Sequence, residues 1–221
     1  MENTEYDVIV VGGGNAAFCA ALAAREHCER VLVLERAPED EAGGNSRFTA
    51  GAMRVVSTGV DDRRRLLPAL TDDEVERTNF GTYTEGQFLD DIGRVTQYRC
   101  DPDLTEILVK QSRETLLWMR SKGVRFTPIY GRQAFKIDGK FVCWGGLTVE
   151  AWGGGEGLVE ALTKAGKKHG VDVWYSARAT GLLNDDAGVH GVRVKHEGKT
   201  IEVRAKSVVL AAGGFQANPE W

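Results

Sequence analysis

Val8-Ile9-Val10-Val11-Gly12-Gly13-Gly14-Asn15-Ala16-Ala17 is the stretch on which the fold turns. Its first four residues form an uninterrupted apolar, β-branched run that stops at three glycines, the pattern of a strand buried on both faces in a parallel sheet. From Asn15 to about His27 the chain is alanine-rich, with Ala16, Ala17, Ala20, Ala21, Leu22, Ala23 and Ala24, so a helix that can lie close against that strand is predicted. Residues 31–34 repeat the buried-strand pattern and end at Glu35. Strand, helix and strand make a βαβ unit of roughly 30 residues, right-handed by the usual rule. Its turn fits the spacing GxGxx(G/A). Gly12 allows the tight turn, Gly14 lets a pyrophosphate approach the backbone, and Ala17 lets the helix close on the strand, while the helix N-terminus favours the anion. Glu35, at the end of the second strand, is placed to accept hydrogen bonds from a ribose diol. This unit alone leaves NAD and FAD both open, because each presents an ADP half to the same crevice.

Working outward, 221 residues suffice for one large domain or two small ones. Apolar residues at 42% and charged residues at 27% match an ordinary folded chain rather than a disordered or membrane-embedded one. A formal charge of −4 gives no basic surface for a phosphodiester backbone, so nucleic acid is not an expected partner. Glycine is in excess at 27 residues and falls in clusters, which points to backbone-lined binding sites. The four cysteines, Cys19, Cys28, Cys100 and Cys143, show no disulfide or zinc spacing and are read as buried, reduced thiols. No metal site is expected. The first residues are acidic and no apolar run reaches a spanning length, so the chain is read as cytoplasmic, with no transmembrane segment.

Beyond the βαβ unit, residues 43–54 read as a polar, glycine-containing stretch, and Asp61-Asp62-Arg63-Arg64-Arg65 as a solvated turn. Thr71 or Asp72 is a cap for a short helix, residues 85–96 suggest another, and Asp101-Pro102-Asp103 starts a long one over about 103–122. Asp138-Gly139 reads as the turn of a hairpin between residues 135–137 and 140–142. Gly153-Gly154-Gly155 feeds a further helix ending near His169-Gly170, and residues 171–175 read as a strand. From Ala179 onward the alternation of Val189, Val192, Val194, Ile201 and Val203 about Glu197-Gly198 predicts an antiparallel meander. Residues 208–212 read as a closing buried strand before Gly213-Gly214. The fold class is therefore α/β, a Rossmann-like nucleotide-binding domain with a parallel sheet, helices and a meander.

Three runs, VVGGGNAA with Glu35, GGNSRFTAGAM at residues 43–53 and LAAGGF at residues 210–215, together resemble the fumarate reductase and succinate dehydrogenase flavoprotein family. The resemblance implies FAD and spans residues 1–221 as the N-terminal part of an FAD-binding domain, with a helical insertion at about 60–145. GGGNAAFCAALAA and EAGGNSRFTAGAMR look most like members that oxidise a tricarboxylate to its alkene; a fumarate-reducing or ketosteroid-desaturating flavoprotein, or a non-catalytic dinucleotide-binding module, are the rivals. By resemblance Gly12, Gly14, Asn15, Ala16, Ala17, Glu35 and Arg36 hold the ADP half. Gly43, Gly44, Asn45 and Ser46 lie along the pyrophosphate and ribityl chain, and Ala50, Gly51 and Ala52 face the isoalloxazine. Ala179 offers backbone to the adenine, and Ala211, Ala212 and Gly213 close the site. Members that tether the flavin carry a histidine in the second block; Asn45-Ser46 stands there in this chain, so non-covalent FAD is expected. The implied partners are a small carboxylate substrate and an unidentified electron acceptor. The family continues past Gly213-Gly214 into a capping domain with a catalytic arginine, which this chain is expected to lack.

No catalytic acid or base is assigned. His27 and His169 sit at predicted helix ends, where the dipole explains them, and His190 and His196 on the exposed meander. Arg47 and Arg54 flank the second block and could reach an anion, though solvated surface arginine is the plainer reading. The turn at residues 153–155 offers N–H groups that could receive a carboxylate, against a simple helix-start turn.

Overall fold

A computed structural model describes residues 5–146 and 149–214, so Phe215, the end of the third run, lies outside the described residues. In chain order the elements are β1 (Glu5–Val11), α1 (Asn15–Arg25), β2 (Val31–Leu34), α2 (Gly44–Arg47), β3 (Ala52–Met53), α3 (Val60–Leu66), α4 (Asp72–Arg77), β4 (Thr78–Asn79), α5 (Glu85–Thr96) and α6 (Pro102–Ser121). There follow β5 (Phe126–Pro128), α7 (Tyr130–Gln133), β6 (Ala134–Ile137), β7 (Lys140–Cys143), β8 (Val149–Ala151), α8 (Gly154–Lys168), β9 (Asp172–Trp174), β10 (Arg178–Asp185), β11 (Gly188–His196) and β12 (Lys199–Leu210). Two compact units result, residues 1–49 with 155–221, and residues 50–154.

The first unit is a six-stranded sheet in the order β10-β11-β12-β1-β2-β9. β1 pairs in parallel with both β2 and β12, and β2 in parallel with β9, while β10, β11 and β12 form an antiparallel meander. The α/β class with a parallel sheet and meander is thus observed. The register decides the site. Val11 lies opposite Leu34 on one side and Leu210 on the other, so the residues that follow these three strands emerge side by side. Ligands of open parallel sheets bind at such carboxyl ends. The core beneath is Tyr6, Ile9, Leu32, Leu34, Val192, Val194, Val203 and Ala205. α1 buries Ala17, Phe18, Ala21 and Leu22, the small side chains allowing its close approach.

The second unit carries α3 to α7 and two three-stranded sheets, β3-β8-β5 and β4-β7-β6, around Val55, Leu66, Leu67, Leu70, Phe80, Leu116, Cys143 and Val149. Its helices start where the caps dictate. Thr71 and Thr84 form capping boxes with Glu74 and Gln87, and the Asp101 carboxylate accepts the Leu104 N–H at 2.9 Å with Pro102 in the first turn. Asp138 and Gly139, at φ 49° and 81°, make the hairpin turn between β6 and β7. No helix among the described residues is long and apolar enough to cross a membrane.

Three expectations are corrected, and the polar stretch 43–54 contains α2 and β3. The run at residues 61–65 lies within α3 and is no solvated turn: Asp62 and Arg63 are buried, because a helix sends successive side chains around its circumference. The closing strand is the second half of β12, which runs on from the meander, and Leu210 is 67% exposed, since no described element covers that end. Of the cysteines only Cys143 is buried; the other three are half-buried.

Candidate functional site

The candidate site is built where β1, β2 and β12 end. Gly12 donates its N–H to the Leu34 carbonyl at 2.8 Å, and Ala211 donates to the Val11 carbonyl at 2.8 Å, which ties the turn to both flanking strands. Gly12 has φ +116°, and a Cβ there would lie 2.3 Å from the Ala211 oxygen, so only glycine fits. Gly13 is buried, and its missing Cβ leaves room for Glu35, whose Oε2 would otherwise stand 2.5 Å away. Gly14 caps α1 without a side-chain hydrogen bond. The first-turn N–H groups of a helix have no intrahelical acceptor, so this end remains electropositive toward whatever lies before it.

Two more segments close on the turn. Ser46 of α2 accepts the Asn15 N–H at 3.0 Å, and the Gly43 carbonyl lies 3.4 Å from where a Gly14 Cβ would be. Gly43 itself has φ +112° and faces Val159. Glu35, only 7% exposed, is fixed by the Ala37 N–H on Oε1 at 2.8 Å, while its own carbonyl accepts from Ala177 at 2.8 Å. Residues 12–15, 35, 43, 46 and 211 are therefore brought together within the first unit. Ala16 is exposed and Ala17 buried on α1, as the turn requires. Asn45, Arg36, Ala212 and Gly213 are exposed, and Ala179, second residue of β10, pairs with Val194.

Other predicted residues have different surroundings. Ala50, Gly51 and Ala52 belong to the second unit, where the Gly51 carbonyl accepts from Ala151 at 2.8 Å and Ala52 pairs with Glu150. The Gly155 N–H is donated to the Thr49 carbonyl at 3.0 Å, which favours the helix-start turn over a carboxylate seat at that residue. Arg47 bonds the Asp40 carbonyl and lies 3.5 Å from Glu156; Arg54 bonds Asp91 at 2.9 Å, the Tyr83 hydroxyl at 3.0 Å and the Gly145 carbonyl. Both arginines are held by the protein itself. His190 bonds Asp185, holding that carboxyl below its usual range, and His196 is half-buried and stacked on Trp174 at 5.4 Å, so it is not the exposed residue expected. Burial pushes the Cys19 thiol up to about 11, so it stays protonated. Among the described residues no cluster of His, Cys, Asp or Glu is placed to hold a metal.

Sequence reasoning passed over Gly13, Ala37 and Ala177. The triple glycine was a signal for the first; the other two act through backbone N–H groups, which no side-chain pattern reveals. A dinucleotide fits this arrangement on two structural grounds. The glycines at 12–14 let Ala211 and Glu35 close on a turn whose backbone carries no side chain, and Gly14 caps α1 with no side chain of its own while an anchored carboxylate stands beside it.

The comparisons with known proteins agree. A family model described as "FAD binding domain" matches residues 7–221. A probable fumarate reductase of Shewanella frigidimarina (strain NCIMB 400) is 32% identical over 216 residues, covering 96% of this chain and 33% of that protein. A urocanate reductase of Eggerthella lenta is 29% identical over 235 residues, covering 98% of this chain and 33% of its own length. The open conformation of a flavocytochrome c3 fumarate reductase superposes with a TM-score of 0.72 at 28% identity, over 98% of this chain and 35% of that one. The chain thus spans about a third of the length of these relatives. It belongs to the FAD-binding domain family, with fumarate reductase flavoproteins among its relatives.

Proposed function

We propose that this chain is the FAD-binding part of a flavin-dependent oxidoreductase that oxidises a tricarboxylate, tricarballylate to cis-aconitate, and passes the electrons to an acceptor yet to be identified. The observation that carries the flavin half of this reading is the convergence of the Gly12 turn, Glu35 and Ser46 at adjoining strand ends. The α1 N-terminus would hold the pyrophosphate, the Glu35 carboxylate the ribose diol, and residues 43–46 the chain beyond, with Ala179 and residues 211–213 toward the ADP. FAD supplies hydride acceptance when bound. Asn45-Ser46 in place of a histidine supports a non-covalent cofactor. The tricarboxylate rests on the sequence blocks GGGNAAFCAALAA and EAGGNSRFTAGAMR. Four free thiols suit a reducing compartment such as the cytoplasm.

A second reading runs the same chemistry in reverse: the relatives named as fumarate and urocanate reductases favour reduction of a double bond. Purified protein should be yellow, and acid precipitation should release all flavin into the supernatant. A colourless protein defeats the cofactor reading, and flavin retained in the pellet defeats its non-covalent attachment. Assays of the whole enzyme for tricarballylate oxidation and for fumarate reduction with an artificial electron carrier separate the two substrates.

A further inference from the structure

The charged run at residues 61–65 holds a group that the nucleotide turn does not use. Arg63 on α3 is 0% exposed, and its Nε, Nη1 and Nη2 are all buried without a hydrogen-bond partner. The adjacent acid does not serve it. Asp62 Oδ2 accepts the Thr58 N–H at 2.8 Å and hydroxyl at 2.9 Å, and Arg113 Nη1 lies 3.1 Å from both Asp62 oxygens. The other ionisable neighbour, Cys143, lies in the apolar cluster of Val55, Leu66 and Phe80, and burial pushes its thiol up despite the guanidinium, so it brings no negative charge at neutral pH. Burial pulls Arg63 down to about 10, still protonated at neutrality. Asp62 offsets the charge only through space, and the five donors of the planar fork are left without a hydrogen-bond partner, which is costly for a buried cation.

We propose that Arg63 anchors a small carboxylate anion within the second unit, gripped by the guanidinium fork. One carboxylate balances one guanidinium and matches its geometry with two parallel N–H···O bonds, whereas a doubly charged phosphate would leave net negative charge in an apolar surround. The carboxylate has two sources, a free monocarboxylate or one arm of the polycarboxylate substrate; the latter rests on the function proposed above.

Thermal unfolding of the whole chain tests this, with ionic strength held by the bulky MOPS anion and with acetate, chloride, tricarballylate or neutral acetamide added. Saturating acetate or tricarballylate should raise Tm by about 3 °C or more, and acetamide should leave it unchanged. Response to acetate identifies a free anion; response to tricarballylate alone identifies the substrate. Arg63→Met should melt at or above the anion-free parent and lose the response. Should that variant fail to fold, Arg63→Lys keeps the charge without the fork and should need about tenfold more acetate or tricarballylate. The proposal is overturned by no carboxylate response in the parent, by an equal response in Arg63→Met, by an unchanged midpoint in Arg63→Lys, or by a rise produced by chloride alone. Flavin absorbance of the same samples reports the cofactor reading separately.

Discussion

Two glycine runs open helices, residues 12–14 before α1 and residues 153–155 at the start of α8, and they use their missing side chains differently. At the first, backbone just beyond β12 and the Glu35 carboxylate occupy the space, Gly14 makes no side-chain cap bond, and the Asn15 N–H is taken by the Ser46 hydroxyl. At the second, a Cβ on Gly155 would lie 2.2 Å from the Ser46 carbonyl and 2.7 Å from those of Arg47 and Thr49, and its N–H is already donated. At the first turn a hydroxyl, which a ligand can displace, holds the Asn15 N–H; at the second a backbone carbonyl holds the Gly155 N–H and clamps the segment at residues 43–49. A glycine run before a helix is thus no anion site by itself. What decides is whether the N–H groups are consumed by the chain.

The comparison breaks most sharply at Gly12. Gly12→Val demands φ +116° of a β-branched residue and drives a side chain into Ala211. A loss of about 3–5 kcal/mol in stability is expected, with no flavin retained, as urea unfolding and absorbance would show. A variant that melts near the parent and stays yellow would mean the turn is looser than described. Gly155→Ala is next. Three carbonyls must give way, so about 2 kcal/mol of stability should go. Flavin affinity should fall with it, because α2 carries Ser46; an unmoved Tm would remove the clamp from the argument.

Glu35 sharpens the contrast from the ligand's side. Glu35→Gln keeps an oxygen for the Ala37 N–H and the shape above Gly13, but loses the charge that strengthens bonds to a ribose diol. Tm should hold within about 2 °C while the FAD dissociation constant rises about tenfold by fluorescence titration. A fall in stability without a fall in affinity would make Glu35 a purely structural residue.

The first turn was legible because everything that shapes it is local: strand, glycines, small-residue helix and Glu35 follow within one βαβ unit. The hairpin at Asp138-Gly139 was legible for the same reason. Gly155 was not, since its partners Ser46, Arg47 and Thr49 lie more than 100 residues away in sequence. Arg63 escaped because five consecutive charges show no periodicity, and only the packing of α3 reveals which one faces inward. The turnover of β12 from antiparallel to parallel pairing depends on β1, at the opposite end of the chain.

Ser46 offers the smallest and most discriminating change, because it touches the two turns through different atoms. Its hydroxyl accepts from Asn15 at the first turn, and its carbonyl faces Gly155 at the second. Ser46→Ala removes only the hydroxyl. The Asn15 N–H is then free for solvent or for the pyrophosphate, so the penalty is one exchanged hydrogen bond, about 0.5–1.5 kcal/mol at most. Flavin affinity should change by about threefold or less, and the clamp on α8 should remain, leaving stability well above that of Gly155→Ala. Equal damage from the two variants would show that the hydroxyl, rather than the carbonyl packing, holds residues 43–49 in place, and the two turns would then be one structural device instead of two.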